Sequence, residues 1–267
     1  MRYPETDKQF PLIIISHGFK GWKDWGFLPY ISEQLAESGA ITICFNYSLN
    51  GMIDGSVLVE NPNDFASNTV SAELEDLDFL ITSFIDGKIE STKKIDAIWN
   101  GEIFLLGHSM GGGISLLLTS QQERSYHRMI KAISLWASVG KWDRYTARQK
   151  AEWRKTGYVE FLNNRTSQTL RIDIGWLNDM ENHSYYLSLT AAAARLDVPA
   201  LLVHGRQDKT IPISEIELLI NSDKNNMLKT HYINTANHTF GSDMIMGNPS
   251  ATLIEALDIT KEFYKGI

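Results

Sequence analysis

The chain has little cysteine and no excess of positive charge, and each shortage excludes a class of protein. Cys44 is the only cysteine among 267 residues, so neither an internal disulfide framework nor a cysteine-rich zinc site can form. Asp and Glu outnumber Lys and Arg by 32 to 25, and no cluster of basic residues occurs. Because a phosphate backbone requires a basic surface, a nucleic acid is not an expected partner.

Long hydrophobic runs are missing as well. No stretch of 18 consecutive apolar residues occurs, and the first ten residues are polar without the apolar centre of a signal peptide, so neither a transmembrane helix nor a secretory leader is predicted. Hydrophobic residues still make up 43% of the sequence, enough for an ordinary core. We therefore expect a soluble, cytoplasmic protein that does not bind a membrane.

Short apolar runs alternate with longer amphipathic stretches along the chain, a pattern that predicts an α/β fold with a mainly parallel sheet flanked by helices. The predicted strands are Leu12–Ser16, Ile41–Phe45, Ile103–Leu106, Ala132–Trp136, Ala200–His204 and Lys229–Asn234. The predicted helices are Phe27–Ser38, Ala66–Ile85, Met110–Gln121, Ser214–Asn221 and Ala251–Tyr264.

One long segment interrupts this alternation. Between Ala137 and Asp197 no run has the pattern of a strand, and a stretch of this length is more typical of an inserted helical cap than of a loop. The sequence therefore predicts a core made of residues 1–136 and 198–267 and a helical cap at 137–197. The cap is rich in aromatic residues: Trp142, Tyr145, Trp153, Tyr158, Phe161, Trp176, Tyr185 and Tyr186.

A Gly-x-Ser-x-Gly motif at Gly107–Gly111 contains the candidate nucleophile, Ser109. A predicted strand enters the motif and a predicted helix leaves it. A sharp turn between them would hold the serine in a strained conformation, and side chains at Gly107 and Gly111 would collide with neighbouring elements. The turn would also leave Ser109 at a helix N-terminus, where the dipole favours developing negative charge.

A second loop contains a candidate oxyanion donor. The apolar strand Leu12–Ser16 runs into His17, Gly18 and Phe19. Acyl transfer needs two backbone N–H groups directed at the developing oxyanion, and we expect them from Phe19 and from Met110, directly after the nucleophile. His17 is interpreted as a structural histidine of this loop.

The candidate base and acid each follow a strand. His238 lies on a loop after the last predicted strand, at the carboxyl edge of the sheet, where active sites of such folds assemble. Asp208 follows the strand that ends at His204 and would orient the base. Asp143 is the alternative acid, and His108 and His204 are interpreted as structural.

From Ile13 nearly to the C-terminus the chain resembles the α/β-hydrolase superfamily. The motifs H-G-F from His17, G-H-S-M-G-G from Gly107, H-G-R-Q-D-K-T-I-P from His204 and N-H-T-F from Asn237 are similar to those of small esterases in the cinnamoyl (feruloyl) esterase and dienelactone-hydrolase-like or prolyl-oligopeptidase-like branch.

The resemblance implies a Ser109–His238–Asp208 triad with Phe19 and Met110 as oxyanion donors, and a cap between the sixth and seventh strands of the family's fold. Only about ten residues precede the first predicted strand, so the family's opening pair of strands does not fit. We therefore expect a shortened sheet edge, or residues missing before Met1.

The sequence thus predicts a serine hydrolase that cleaves small carboxylic esters through an acyl-enzyme, with no metal or organic cofactor. Acyl transfer, peptide cleavage and carbon–carbon bond hydrolysis would use the same residues, and the fold also serves in ligand receptors without turnover. These alternatives stay open at this point. The residues expected to line an apolar substrate pocket are Trp22, Tyr47, Trp142, Trp176 and Tyr186.

Overall fold

The computed structural model describes residues 1–5, 8–89, 95 and 97–267. Its strands are β1 (Phe10–Ser16), β2 (Ile41–Cys44), β3 (Trp99–His108), β4 (Ile130–Trp136), β5 (Tyr158–Asn163), β6 (Gln168–Asp173), β7 (Ala200–Gly205) and β8 (Leu228–Ile233). Six of them form a parallel sheet in the order β2–β1–β3–β4–β7–β8, and β5 pairs with β6 in a separate antiparallel hairpin. All six strands predicted for the main sheet are therefore confirmed.

Helices cover both faces of the sheet because the central strands are apolar on both sides. Alternate residues of β1 enter two separate hydrophobic clusters, Ile14 on one face and Ile15 on the other. The helices are α1 (Leu28–Glu37), α2 (Pro62–Ser67), α3 (Val70–Ile85), α4 (Met110–Thr119), α5 (Ala147–Thr156), α6 (Ile174–Asn182), α7 (Leu189–Arg195), α8 (Ile213–Ser222) and α9 (Ala251–Lys265), with a 3₁₀ turn at His127–Met129. None of the described helices is long and apolar enough to cross a membrane.

Among the described residues, β2 is the last strand on its side of the sheet. Beyond β2, the described residues add only an isolated antiparallel bridge between Arg2 and Thr42. The carboxyl ends of the parallel strands all lie at one edge of the sheet.

The segment Ala137–Asp197, which we call the cap, contains α5, α6 and α7 but also the β5–β6 hairpin. The expectation that it holds no strand is wrong. The hairpin side chains alternate, with Leu170 and Ile172 buried and Thr169 and Arg171 exposed, because one face of the hairpin packs against the molecule.

Polar contacts join the cap to the core. The Ser71 hydroxyl donates to Asp179 of α6 at 2.6 Å, and the Gln168 side-chain amide exchanges two 3.0 Å hydrogen bonds with the backbone of Val59. These hydrogen bonds attach α6 and β6 of the cap to the core.

Candidate active site

Ser109 lies at the turn between β3 and α4 in a strained backbone conformation, with φ 55° and ψ −116°. The two motif glycines make this turn possible. A Cβ added at Gly107 would lie 2.2 Å from the Gly111 carbonyl oxygen, and one added at Gly111 would lie 2.5 Å from the carbonyl oxygens of Ser16 and His17. No side chain fits at such distances, so these positions require glycine for close packing rather than for positive φ.

Ser109, His238 and Asp208 come together at the carboxyl edge of the sheet. His238 Nε2 lies 3.1 Å from Ser109 Oγ, and His238 Nδ1 lies 2.8 Å from Asp208 Oδ2. Since the carboxylate can only accept, Nδ1 carries the proton and Nε2 accepts from the serine hydroxyl. The arrangement joins a hydroxyl, an imidazole and a carboxylate in one hydrogen-bonded chain, the geometry that nucleophilic catalysis by a serine requires.

The Asp208 side chain is fully buried, yet hydrogen bonds stabilise its charge. Its Oδ1 accepts from the backbone N–H groups of Thr210 at 2.8 Å and Ile211 at 2.9 Å. Burial raises the pKa of Asp208, but the hydrogen bond and charge of His238 and these two N–H donors together lower the pKa below its usual value. Asp208 is thus a charged partner for the imidazole.

The other candidate groups near the sheet edge have structural partners. Asp143, the alternative acid, pairs with Lys150 on an exposed surface. His108 donates from Nε2 to the His238 carbonyl at 3.0 Å and fixes the backbone of His238. Burial, followed by the charge of His238, lowers the pKa of His108 to about 3. His204 donates to the Ile211 carbonyl at 3.0 Å.

The loop after β1 lies directly against Ser109, since a Cβ on Gly18 would lie 2.9 Å from the Ser109 Cβ. His17 Nδ1 donates to the Gly18 carbonyl at 2.9 Å, and burial lowers the pKa of His17 to about 4. His17 is therefore neutral and holds the loop through this hydrogen bond. Among described atoms, the Phe19 N–H has no acceptor, and the N–H of Met110, at the first position of α4, has none within its helix.

A cavity of about 410 Å³ opens onto Ser109 and His238, and both Phe19 and Met110 line it. Of the aromatic residues predicted to line the pocket, Trp142 and Trp176 do so. The other three do not. Trp22 and Tyr47 are buried in the core, where Tyr47 packs edge-on against His17, and Tyr186 lies on the surface of the cap.

Charged residues also line the cavity, and no sequence pattern singled them out. Lys20 follows Phe19 on the loop after β1, and Arg165 lies in the turn between β5 and β6. Only the folding of the cap hairpin over this loop brings them to one cavity. Within the described residues, no group of three or more His, Cys, Asp or Glu side chains is arranged to hold a metal ion.

No protein-family model matches the chain. Cutinase est1 of Thermobifida alba is 28% identical over 120 residues, which cover 45% of this chain and 34% of that protein. An uncharacterized 31.7 kDa protein from the traX-finO intergenic region of Escherichia coli is 32% identical over 123 residues, or 46% of this chain and 37% of that protein. The matched part spans about a third of the length of these curated relatives.

Solved structures match over nearly the full length. Est1E from Butyrivibrio proteoclasticus, with ferulic acid bound, has a TM-score of 0.65 at 20% identity and covers 100% of this chain and 92% of its own. A structure from work on the metagenome-derived lipolytic enzymes LipS and LipT has a TM-score of 0.70 at 13% identity and covers 100% of both chains. Mouse alpha/beta hydrolase domain-containing protein 10 reaches 0.64 at 16% identity, covering 98% of this chain and 92% of its own.

Proposed function

From the α/β-hydrolase fold, which the chain shares with these structures, and from the site at its sheet edge, we propose that the protein hydrolyses carboxylic esters through an acyl-enzyme. The observation that carries the proposal is the hydrogen-bonded chain from Ser109 through His238 to the buried Asp208. This chain opens onto a cavity large enough for a small-molecule ester.

In the proposed reaction, Ser109 Oγ attacks the ester carbonyl while His238 Nε2 takes the hydroxyl proton. The carbonyl oxygen becomes an oxyanion that accepts hydrogen bonds from the N–H groups of Phe19 and Met110. The intermediate collapses, the carbon–oxygen bond to the alcohol breaks, and His238 returns its proton to the departing alcohol. Water then attacks the acyl-enzyme with His238 again as base, which releases the acid and restores Ser109.

The surroundings of these residues support the assignment of roles. Asp208 holds the proton on His238 Nδ1, which leaves Nε2 free to accept, and its negative charge stabilises the imidazolium formed in each step. The cap covers the cavity with Trp142 and Trp176. By excluding water it would strengthen the oxyanion contacts and protect the acyl-enzyme.

Acyl transfer, peptide cleavage and carbon–carbon bond hydrolysis are chemically open to the same residues. Ester hydrolysis is favoured because the similar proteins include a cutinase and lipolytic enzymes. A receptor without turnover is disfavoured, because binding alone needs neither a strained serine nor a base oriented by a buried carboxylate.

The test uses Ser109→Ala in the full-length chain, with a fluorophosphonate probe and 4-nitrophenyl butyrate as reagents. The wild type should be labelled by the probe and release nitrophenolate, and Ser109→Ala should do neither while keeping its thermal unfolding transition. Ser222→Ala, a serine of α8 outside the cavity, is the matched control and should behave as wild type. Labelling that survives in Ser109→Ala would show that the nucleophile is wrongly assigned. If the wild type is labelled but releases no nitrophenolate, the assignment of Ser109 as nucleophile stands and the proposed ester hydrolysis is wrong.

A further inference from the structure

The charge of the cavity is opposite to that of the chain. The sequence has a net charge of −7, yet no Asp or Glu among the described residues lines the cavity above Ser109. Its lining includes four cationic side chains, Lys20, Lys141, Arg144 and Arg165. Such a cavity attracts anions and repels cations, because charges along a cleft of low dielectric constant focus the field.

The four cations differ in whether they already have a counter-ion. Arg144 is neutralised by Glu215, whose carboxylate lies 2.8 Å from its guanidinium. Lys20, Lys141 and Arg165 form no ion pair with a described carboxylate, whereas Arg144 does. Asp243 attracts Arg165 only through space, and Lys141 acts in the same way on Asp143. Three positive charges in this cavity thus have no bonded counter-ion.

Aromatic rings hold two of these cations, Lys20 and Arg165, in place. The Lys20 ammonium lies 5.7 Å from the centre of the Phe19 ring and 5.3 Å from that of Phe161, and the Arg165 guanidinium lies 4.9 Å from the centre of the buried Trp25 ring. Cation–π contacts of this kind fix the position of a charge without neutralising it.

The two cations also act on each other. Burial, and after it the positive charge of Arg165, lowers the pKa of Lys20. Two like charges that come from different elements, one on the loop after β1 and one on the cap hairpin, are therefore held within electrostatic range. A bound anion would relieve their repulsion and join the cap to the loop that carries Phe19.

We propose that the substrate is an ester that also bears a carboxylate, which Lys20 and Arg165 bind while the apolar part of the ester packs against the aromatic walls. This inference rests on the proposed ester hydrolysis and adds the class of substrate. The competing role for the same contacts is simply to attach the cap to the loop through cation–π interactions.

The experiment compares esters that differ only in the charged group. Monoethyl adipate and ethyl hexanoate differ by a terminal carboxylate on the acyl side, and 4-acetoxybenzoate and its methyl ester differ by a carboxylate on the leaving group. For one of the two pairs, the wild-type kcat/KM for the anionic member should exceed that for the neutral member by about tenfold, and added salt should reduce the ratio. Lys20→Met and Arg165→Gln should each lower this ratio of kcat/KM values by about fivefold, and the double variant should show no preference for the anionic ester. Because each ratio is measured within one protein, a general loss of activity cancels.

Arg148→Gln is the matched control, since Arg148 is an exposed cap arginine that does not line the cavity, and it should keep the wild-type ratio. Calorimetric binding of monoethyl adipate and 4-acetoxybenzoate to Ser109→Ala, with and without Arg165→Gln, measures carboxylate recognition without turnover. Turnover of neutral esters with no anionic preference in either pair, or a preference that both variants retain, would overturn the carboxylate site and leave the esterase intact. If the wild type shows neither turnover nor probe labelling, but carboxylate binding depends on Arg165, the proposed ester hydrolysis is wrong and the carboxylate site is supported.

Discussion

The carboxylate of Asp208 accepts three hydrogen bonds in a site without solvent, and the neutral amide of an asparagine cannot reproduce them. Two come from the backbone N–H groups of Thr210 and Ile211 and one from His238. In Asp208→Asn the imidazole loses the charge that fixes its tautomer. We expect kcat for 4-nitrophenyl butyrate to fall by about two to four orders of magnitude, as when a triad acid is neutralised.

The matched control is Asp143→Asn, which removes the same charge from the alternative acid. Asp143 pairs with Lys150 on the surface, and an exposed ion pair contributes about 0–1 kcal/mol to stability. Steady-state kinetics should show kcat within about twofold of wild type. If Asp143→Asn has the larger effect, the acid follows β4 rather than β7.

Glu73 is a buried carboxyl group that the proposed reaction does not use. It lies on α3, accepts a 2.8 Å hydrogen bond from Asn68, and leaves its second oxygen without a described partner. Burial raises the pKa of Glu73 from 4.5 to about 8, although the Asn68 hydrogen bond opposes the shift. The pKa of Glu73 is higher in the folded state than in the unfolded state. Its contribution to stability is therefore fully present below pH 4.5 and is lost as the pH rises through 8.

Glu73→Gln should remove this pH dependence, because the amide keeps the shape and does not ionise. The free energy of unfolding of the variant, measured with urea and compared with that of the wild type, should gain roughly 3 kcal/mol between pH 4.5 and about pH 7. Glu75→Gln, which changes an exposed neighbour on the same helix, is the control and should follow the wild type. A constant difference between Glu73→Gln and wild type over this range would contradict the buried titration.

At the residue scale, the sequence predicts well the site residues that belong to a recognisable motif. It predicts poorly the residues that line the cavity only because of where the fold places them. Ser109, Asp208 and His238 each follow a strand of a parallel sheet, so topology alone brings them to one edge. Whether an aromatic residue lines a cavity depends on neighbours distant in sequence. Tyr47 is enclosed by His17 and Phe45, and Lys20 and Arg165 meet only through the folded cap.

The packing of α4 against the loop after β1 is the element contact on which the site depends. A Cβ at position 111 would lie 2.5 Å from two backbone oxygens at the end of β1, and backbone cannot move aside as the end of a side chain can. Gly111→Ala should lower the free energy of unfolding by about 1–3 kcal/mol and also slow labelling of Ser109, because the displaced loop carries Phe19.

Gly175→Ala is the matched control for this substitution. Gly175 lies exposed in α6 with no atom within 4 Å of an added Cβ, so alanine should stabilise the helix by roughly 0.5–1 kcal/mol. Thermal unfolding and probe labelling measured together distinguish the two sites. Equal effects of the two variants would show that the close approach at Gly111 is not limiting.

The cap should determine which esters enter, and the sheet loops should carry out the chemistry. Trp142 and Trp176 line the cavity from the cap. Trp142→Leu and Trp176→Leu should each shift the kcat/KM ratio of bulky aromatic to short aliphatic esters by about ten- to two-hundredfold, since one lost apolar contact changes selectivity by about 1–3 kcal/mol. Tyr185→Ala, which truncates a cap residue 82% exposed to solvent, should leave the ratio unchanged. Unchanged ratios in both tryptophan variants would make these residues packing elements only.

The hairpin in the cap shows why a sequence pattern can fail to predict a strand. Residues of β6 alternate between buried and exposed positions, a pattern typical of a strand with one solvated face. The strand is only six residues long, and exposed residues of β5 such as Leu162 blur the alternation. The central strands of the main sheet, such as β4 and β7, are buried along almost their whole length. They were predictable because an uninterrupted apolar run between turn signals does not depend on face or partner.

For the whole molecule, acid should be more disruptive than the net charge of −7 alone implies. Two buried histidines, His17 and His108, are neutral in the folded protein. His17 bonds the loop after β1, and His108 bonds the backbone of His238. Burial is the main cause that lowers their pKa values from 6.5, to about 4 for His17 and about 3 for His108. The unfolded chain therefore binds protons that the folded chain does not, and stability present above pH 6.5 is lost as the pH falls towards the folded pKa values.

Between pH 7 and pH 5 each of these histidines should lower the free energy of unfolding by about 2 kcal/mol. Glu73 changes stability in the opposite sense over the same range, so the contribution of a histidine is measured as the difference between its variant and the wild type. Urea unfolding of both proteins at intervals across this range gives that difference at pH values above those where most carboxyl groups take up protons. From pH 7 to pH 5, His17→Gln should gain about 2 kcal/mol relative to the wild type, because an amide can still bond the Gly18 carbonyl but does not titrate. His231→Gln, which removes a partly exposed histidine paired with Glu255, should keep the wild-type slope. If His17→Gln differs from the wild type by the same free energy of unfolding at pH 7 and at pH 5, His17 is not held neutral in the folded protein.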